Sequence, residues 1–273
     1  MLRNAFAYIT RKWPKSLLLF AIILLMGTLS LIGLSMKGAT QKASSESLGS
    51  ITNSFSMQIN RRTNPGTPRG AGNLRGEDIE KISQVEGITS SIKRINAIAD
   101  ILDHEIIETE ETLQNQSPER AKHFKNTLMV TGVNDSSKED KFVSGAYKLV
   151  QGEHLTDKDK NQILMHEDLA KKNGLKVGDK VRLKSNLYDA DNEKGANETV
   201  EVTIKGLFSG KNQAPLTYAQ ELYEDTLISD LDTAAKLYGN TVQTATYEDA
   251  TFFAKGDQDL DKLIEKIKAL DIP

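Results

Sequence analysis

Residues 16–36 read SLLLFAIILLMGTLSLIGLSM, with no charged position. A run of about 21 residues makes a helix of roughly 31 Å, which matches the hydrocarbon core of a bilayer. The pattern predicts a transmembrane helix. Leu17, Phe20, Ile23, Leu25, Leu31 and Leu34 would anchor it in the membrane, with Trp13 at the headgroups. The Ser and Thr in the run are tolerated because a hydroxyl can bond back to a carbonyl of its own helix. Gly27, Ser30 and Gly33 set small side chains on one face, which suits packing against another membrane helix. Ahead of the run, Leu2, Ala5, Phe6, Ile9 and Trp13 recur at helical spacing. Residues 1–15 are therefore read as a cytoplasmic amphipathic segment on the inner leaflet.

After the run the pattern changes. Residues 37–76 are read as stalk and loop. The first part is rich in Ser and Thr and only weakly apolar, like a helical continuation. The second, NRRTNPGTPRGAGNLRG, is broken by Pro65, Pro68 and its glycines. Short elements then alternate through residues 77–273. Ile79, Ile82 and Val85 define one helix face, and residues 88–98 a strand. Ser117 and Pro118 open a second helix, and TLMVTGV is a second strand. In ETVEVTIKGLF, Val200, Val202 and Ile204 alternate with polar partners, the most regular strand in the chain. TLISD is a strand followed by a helix, and Leu260, Leu263, Ile264 and Ile267 give an amphipathic helix near the end. The predicted fold class is α+β: one membrane helix, then a bilobed extracytoplasmic domain with a β-rich lobe inserted at about residues 145–230.

Charge sharpens this picture. The chain has 273 residues and a net charge of -3, yet its first 45 residues hold six bases and no acid. Arg3, Arg11, Lys12 and Lys15 precede the apolar run, against Lys37 and Lys42 after it. The positive-inside rule sets the amino terminus in the cytoplasm and the bulk outside. A cleaved signal peptide would need a shorter apolar core and a better cleavage site than KGATQKAS. The acidic remainder argues against a nucleic-acid partner. The absence of cysteine rules out disulfides and thiol chemistry.

Candidate chemistry is sparse. P-loop, G-x-S-x-G and H-E-x-x-H motifs are all missing. His104, His123, His154 and His166 lack ligand spacing. Asp189, Asp191 and Glu193 imitate the start of a calcium loop, but Lys194 stands where Gly is required and Val200 where Glu is required. The stretch reads as a solvated hairpin. Gly174 is expected to cap a short helix, and Gly178 with Asp179 to form a structural turn. No catalytic residue, cofactor site or metal site is predicted.

The motif set LVQGEHL, ILMHEDLAKKNGLKVGDKVRL and VEVTIKGLF, behind a basic start and one span, resembles MacB/FtsX-type ABC transporter permeases. Gly152, Glu153, Leu155, Leu169, Ala170, Gly174, Val177, Gly178, Asp179, Val181 and Gly206 carry the likeness. NSFSMQINRR, GTPRGAGN, TGVNDSSKEDKFVSG and LYDADNEKGA are similar to the Vex-type permeases of Gram-positive cocci. The resemblance implies a non-catalytic permease subunit with four membrane helices and a large ectodomain between the first two. It implies a dimer with a second permease subunit and a separate ABC ATPase that binds ATP and moves the ectodomain. Only the first span is in this sequence, which is expected to be the amino-terminal portion. The alternative is a single-pass anchored ectodomain that binds an extracellular partner.

Overall fold

The computed structural model describes residues 53–58, 74–107, 118–210, 227–255, 259–270 and 272, together with residues 14, 17, 22, 24 and 26–28. The chain forms two compact units, Met1–Ser47 and Leu48–Pro273. In the first, the described residues are helical, and Leu17, Ile22, Leu24 and Met26 are exposed. No helix among the described residues is long and apolar enough to cross a membrane. Trp13, Phe20, Ile23, Leu25, Ser30, Leu31, Gly33 and Leu34 lie outside them.

In the second unit the described residues form eleven strands. They are β1 (Asn53–Gln58), β2 (Leu74–Arg75), β3 (Ile88–Leu102), β4 (Thr127–Val133), β5 (Tyr147–Gly152), β6 (Gln162–His166), β7 (Lys180–Ser185), β8 (Thr199–Gly210), β9 (Leu227–Asp230), β10 (Thr246–Tyr247) and β11 (Asp249–Ala254). The helices are α1 (Gly76–Ser83), α2 (Pro118–His123), α3 (Asp140–Val143), α4 (Glu167–Lys172), α5 (Leu231–Leu237) and α6 (Leu260–Lys268).

Six strands close on themselves. β3 pairs with β4, β4 with β9, β9 with β6, β6 with β8, β8 with β7, and β7 returns to β3. Side chains fill the interior, as they must in a barrel this narrow. Ala97, Ala99 and Ile101 meet Leu128, Val130, Ile163, Met165, Val181, Leu183, Val200, Val202 and Ile204 there. The β-rich segment expected at about 145–230 thus does not close alone. It needs β3 and β4, from outside that range, because a curved sheet left open would strand backbone donors at both edges.

β3 is 15 residues long and continues beyond the barrel. There it pairs with β11, which pairs in turn with β1. A second core covers this part. Ile79 and Ile82 of α1, Ala234 and Ala235 of α5, and Leu263 and Ile267 of α6 pack on Ile95, Ala250, Phe252 and Ala254. β1 corrects the stalk reading. Phe55 and Met57 alternate with exposed Ser54 and Ser56, and Phe55 stacks on its cross-strand partner Phe252 at 5.2 Å.

β5 crosses β8 at very short range. A Cβ on Gly206 would sit 2.9 Å from the Gln151 carbonyl, and one on Gly152 (φ +80°) 2.1 Å from the Lys205 carbonyl. Both contacts are with backbone, which cannot swing aside. Gly178 differs, with φ +94° and open space around it. Gly152→Ala should therefore cost about 2–4 kcal/mol, against about 1 kcal/mol for Gly178→Ala. Urea unfolding of the two variants measures the difference, and equal losses would contradict the close-approach account.

Candidate functional site

The two cores meet where β3 passes from one to the other, and a cluster of polar side chains gathers there. Arg94 stands at that point, with its backbone paired to Asp249 of β11 on one edge and Val133 of β4 on the other. Its Nε and Nη2 donate to Asp249 Oδ2 at 3.1 and 2.7 Å, and Nη2 also reaches Asp140 Oδ2 at 3.2 Å. Nη1 lies 3.8 Å from Glu139 Oε1, whose side chain is 3% exposed. Burial works against the guanidinium charge, but Asp249, Asp140 and Glu139 outweigh it and raise the Arg94 pKa. Burial likewise pushes the Glu139 carboxyl up, partly offset by Lys141 and Arg94. Asn134 completes the clamp: its Oδ1 accepts from the Lys93 amide and its Nδ2 donates to the Ser91 carbonyl, both at 2.8 Å. No local pattern marks this cluster, because its members are scattered from residue 94 to residue 249.

A few residues on, no described strand pairs with the same edge of β3. β11 pairs residues 88–94 and β7 pairs residues 99–102. Across the gap the Tyr238 hydroxyl accepts from the Ile98 amide at 3.0 Å and donates to Asp189. Burial, then Asp189, push the phenol well above its usual pKa, so it keeps the proton it donates. The β7–β8 hairpin is therefore docked and not merely solvated. Asn192 is buried and bonds the Asn186 and Ala196 carbonyls at 3.1 and 2.7 Å, and Lys194 Nζ reaches the Gly239 carbonyl at 3.2 Å. Below it Asn186 Nδ2 bonds Asp100 at 3.0 Å, and His123 stacks against Tyr188 with ring centroids 3.6 Å apart.

The remaining sequence candidates lie elsewhere. Gly174 (φ +65°) follows α4, and Leu175 returns its amide to the Ala170 carbonyl at 2.8 Å. The Gly178 amide bonds the Ile204 carbonyl at 2.8 Å, and Asp179 accepts from the Lys176 amide at 3.0 Å. His154 shares a 2.9 Å bond with Ser136, a fully buried hydroxyl that also accepts from the Leu155 amide. His166 Nε2 donates to the Gly210 carbonyl at 3.0 Å while Nδ1 accepts from the Asp168 amide at 3.2 Å, capping α4. Among the described residues no three His, Asp or Glu side chains are grouped to hold a metal.

Two predictions follow from these bonds. Arg94→Gln takes from Asp249 its ionic partner and from the buried Glu139 one of its two cations, and should cost about 2 kcal/mol or more by urea unfolding; a loss under about 0.5 kcal/mol would contradict the clamp. Asp159 accepts from Lys205 Nζ at 2.7 Å and from the Thr156 amide and hydroxyl at 2.7 and 3.0 Å. Burial alone would raise its pKa, but those bonds win and hold it below the usual value. A lowered carboxylate stabilises the fold above its unfolded pKa, and that gain disappears as pH falls through the folded value. Asp159→Asn should cost about 1–2 kcal/mol at pH 7. The gap from the parent should narrow below about pH 4 in acid unfolding curves.

A family model described as the MacB-like periplasmic core domain matches residues 16–270. No curated protein matches the sequence. Among solved structures, the chain is similar to the periplasmic region of MacB from Actinobacillus actinomycetemcomitans. Identity there is 19%, over 83% of this chain and 89% of that chain, with a TM-score of 0.46. It is also similar to the extracellular domain of the ABC-type transporter YknZ from Gram-positive bacteria. Identity is 12%, over 80% of this chain and 92% of that chain, with a TM-score of 0.45. With the family match running through nearly the whole sequence, the chain belongs to the MacB-like periplasmic core domain family.

Proposed function

We propose that the chain is the amino-terminal portion of a permease subunit in an ABC exporter or mechanotransmission complex. The observation that carries this reading is the family match over residues 16–270, which takes in both the apolar run and the ectodomain. On this reading residues 16–36 are a retained membrane helix and residues 1–15 are cytoplasmic. The exposure of Leu17, Ile22, Leu24 and Met26 supports a lipid-facing role, and the open space beside Gly27 supports a neighbouring helix on the face it shares with Ser30 and Gly33. The wording of the loops points to the Vex-type permeases of Gram-positive cocci. The chain itself takes no cofactor and performs no chemistry. ATP belongs to a partner ATPase, and a second permease subunit completes the membrane part.

The ectodomain's part would be mechanical. β1 follows the membrane segment and is laid against β11, which is laid against β3. A displacement entering at β1 has a hydrogen-bonded route into the barrel, with Arg94 at the hand-over. A site with a nucleophile or metal is not needed for that work.

The test expresses the gene with its downstream DNA in its own host and isolates the chain from membranes through an amino-terminal tag. An ABC ATPase and a second permease subunit should co-purify, and protease added to intact cells should remove the ectodomain while sparing the tag. Recovery of the anchored chain without an ATPase would favour the single-pass partner-binding reading instead. Release into the culture fluid, trimmed behind Met36, would overturn both.

A further inference from the structure

The stretch of β3 between its β11 and β7 pairings lines a cleft of about 250 Å³. Antiparallel pairing sends the amides of alternate residues to opposite edges. The Arg94 carbonyl bonds the Glu248 amide, and the Ile98 amide bonds Tyr238, both on the β11 and β7 edge. Asn96, midway between them, therefore turns its N–H and C=O to that edge, where no described strand pairs with it. Its side-chain amide also has no hydrogen-bond partner among the described residues, and neither has the hydroxyl of Thr246 in the same cleft. Arg75 has one ionic neighbour among the described residues, Glu77 at 4.0 Å, which is beyond hydrogen-bond reach. Asp191, Glu193 and Lys194 enter from the β7–β8 hairpin. Lys194 gives one of its three donors to Gly239.

We propose that this cleft binds a zwitterionic peptide of dipeptide size. The peptide would add one extended residue to the free edge of β3. Its amide group would pair with the Asn96 backbone, its carboxylate would lie on Arg75, and its ammonium would lie against Asp191 and Glu193. Three features point to that ligand together. The edge supplies a backbone donor and acceptor, as strand addition requires. The charged lining is balanced, two cations with two carboxylates, and Arg75 comes from β2 while both carboxylates come from the hairpin. The volume falls below the roughly 300–1,000 Å³ of drug-sized pockets, which limits the occupant to a small solute. Such a ligand would touch β2, β3 and the hairpin at once, and so tie the barrel to the second core. The inference does not depend on an ATPase partner.

The experiment is calorimetric titration of the whole chain, in detergent, with alanyl-alanine, N-acetyl-alanyl-alanine, alanyl-alanine amide and free alanine. Saturable binding of alanyl-alanine is expected, weakened about tenfold or more when either terminus is blocked or when alanine replaces it. Arg75→Gln should weaken alanyl-alanine about tenfold and leave the amide derivative unchanged. Asn96→Pro removes the edge amide and should abolish binding. Asn96→Ala keeps that amide and should weaken binding only a few-fold, so a folding defect in the proline variant leaves the alanine variant to read. No saturable heat below about 10 mM overturns the proposal. So does binding indifferent to Arg75→Gln or to capping of both termini.

Discussion

One strand has to serve two cores. β3 places Ile95 in the helix-covered core and Ala97, Ala99 and Ile101 in the barrel, all on the same face. The period of two leaves no freedom here, since slipping β3 by one residue would empty both cores at once. The two alanines keep the barrel wall thin where α5 crosses, while Leu237 from that helix enters the barrel core and Ala234 and Ala235 enter the other. Neither core can be rearranged alone. The ectodomain is therefore expected to unfold as one cooperative body, although its two halves are covered by different elements.

The change of partner along β3 explains where polar groups collect. β11 leaves after residue 94 and β7 does not begin until residue 99. A sheet edge exposed at that point must be satisfied by side chains or left to other partners. Arg94 with its carboxylates seals the β11 side, and Tyr238 supplies the acceptor for Ile98. Asn96 lies between these two repairs. The cleft is thus a consequence of topology and does not depend on a loop that happens to sit open.

Local pattern in the sequence found the elements whose evidence is local. Alternation of Val200, Val202 and Ile204 marked β8, and the glycine signals marked the end of α4 and the following turn. β1 carries the same alternation in NSFSMQ, but with only Phe55 and Met57 to show it, and the Ser-rich setting masked them as a stalk. Barrel closure left no trace, because it depends on β7 returning to β3 across about 80 residues of chain. Neither did the Arg94 cluster, nor the docking of the hairpin that Asp189 and Asn192 secure. Each joins residues that are ordinary in their own neighbourhoods. Residue chemistry alone drew attention to Asp189, Asp191 and Glu193 and assigned them to solvent. The structure gives Asp189 to Tyr238 and sets the other two at the cleft.

If the chain works as a mechanical element, the order of its strands matters more than any single side chain. β1 enters from the amino-terminal side, and β11 runs antiparallel beside it before the chain passes to α6. The stretches nearest both ends of the ectodomain therefore lie together at one edge of the sheet. A pull along β1 loads six cross-strand positions from Asn53 to Gln58 together, and not one after another as in peeling. The load then passes to β3 through the positions ending at Arg94, where the clamp ties β3 to Asp249 of β11. A ligand on the free edge at Asn96 would sit at the next step of that same path. Resistance to displacement and occupancy of the cleft would then be coupled through one strand.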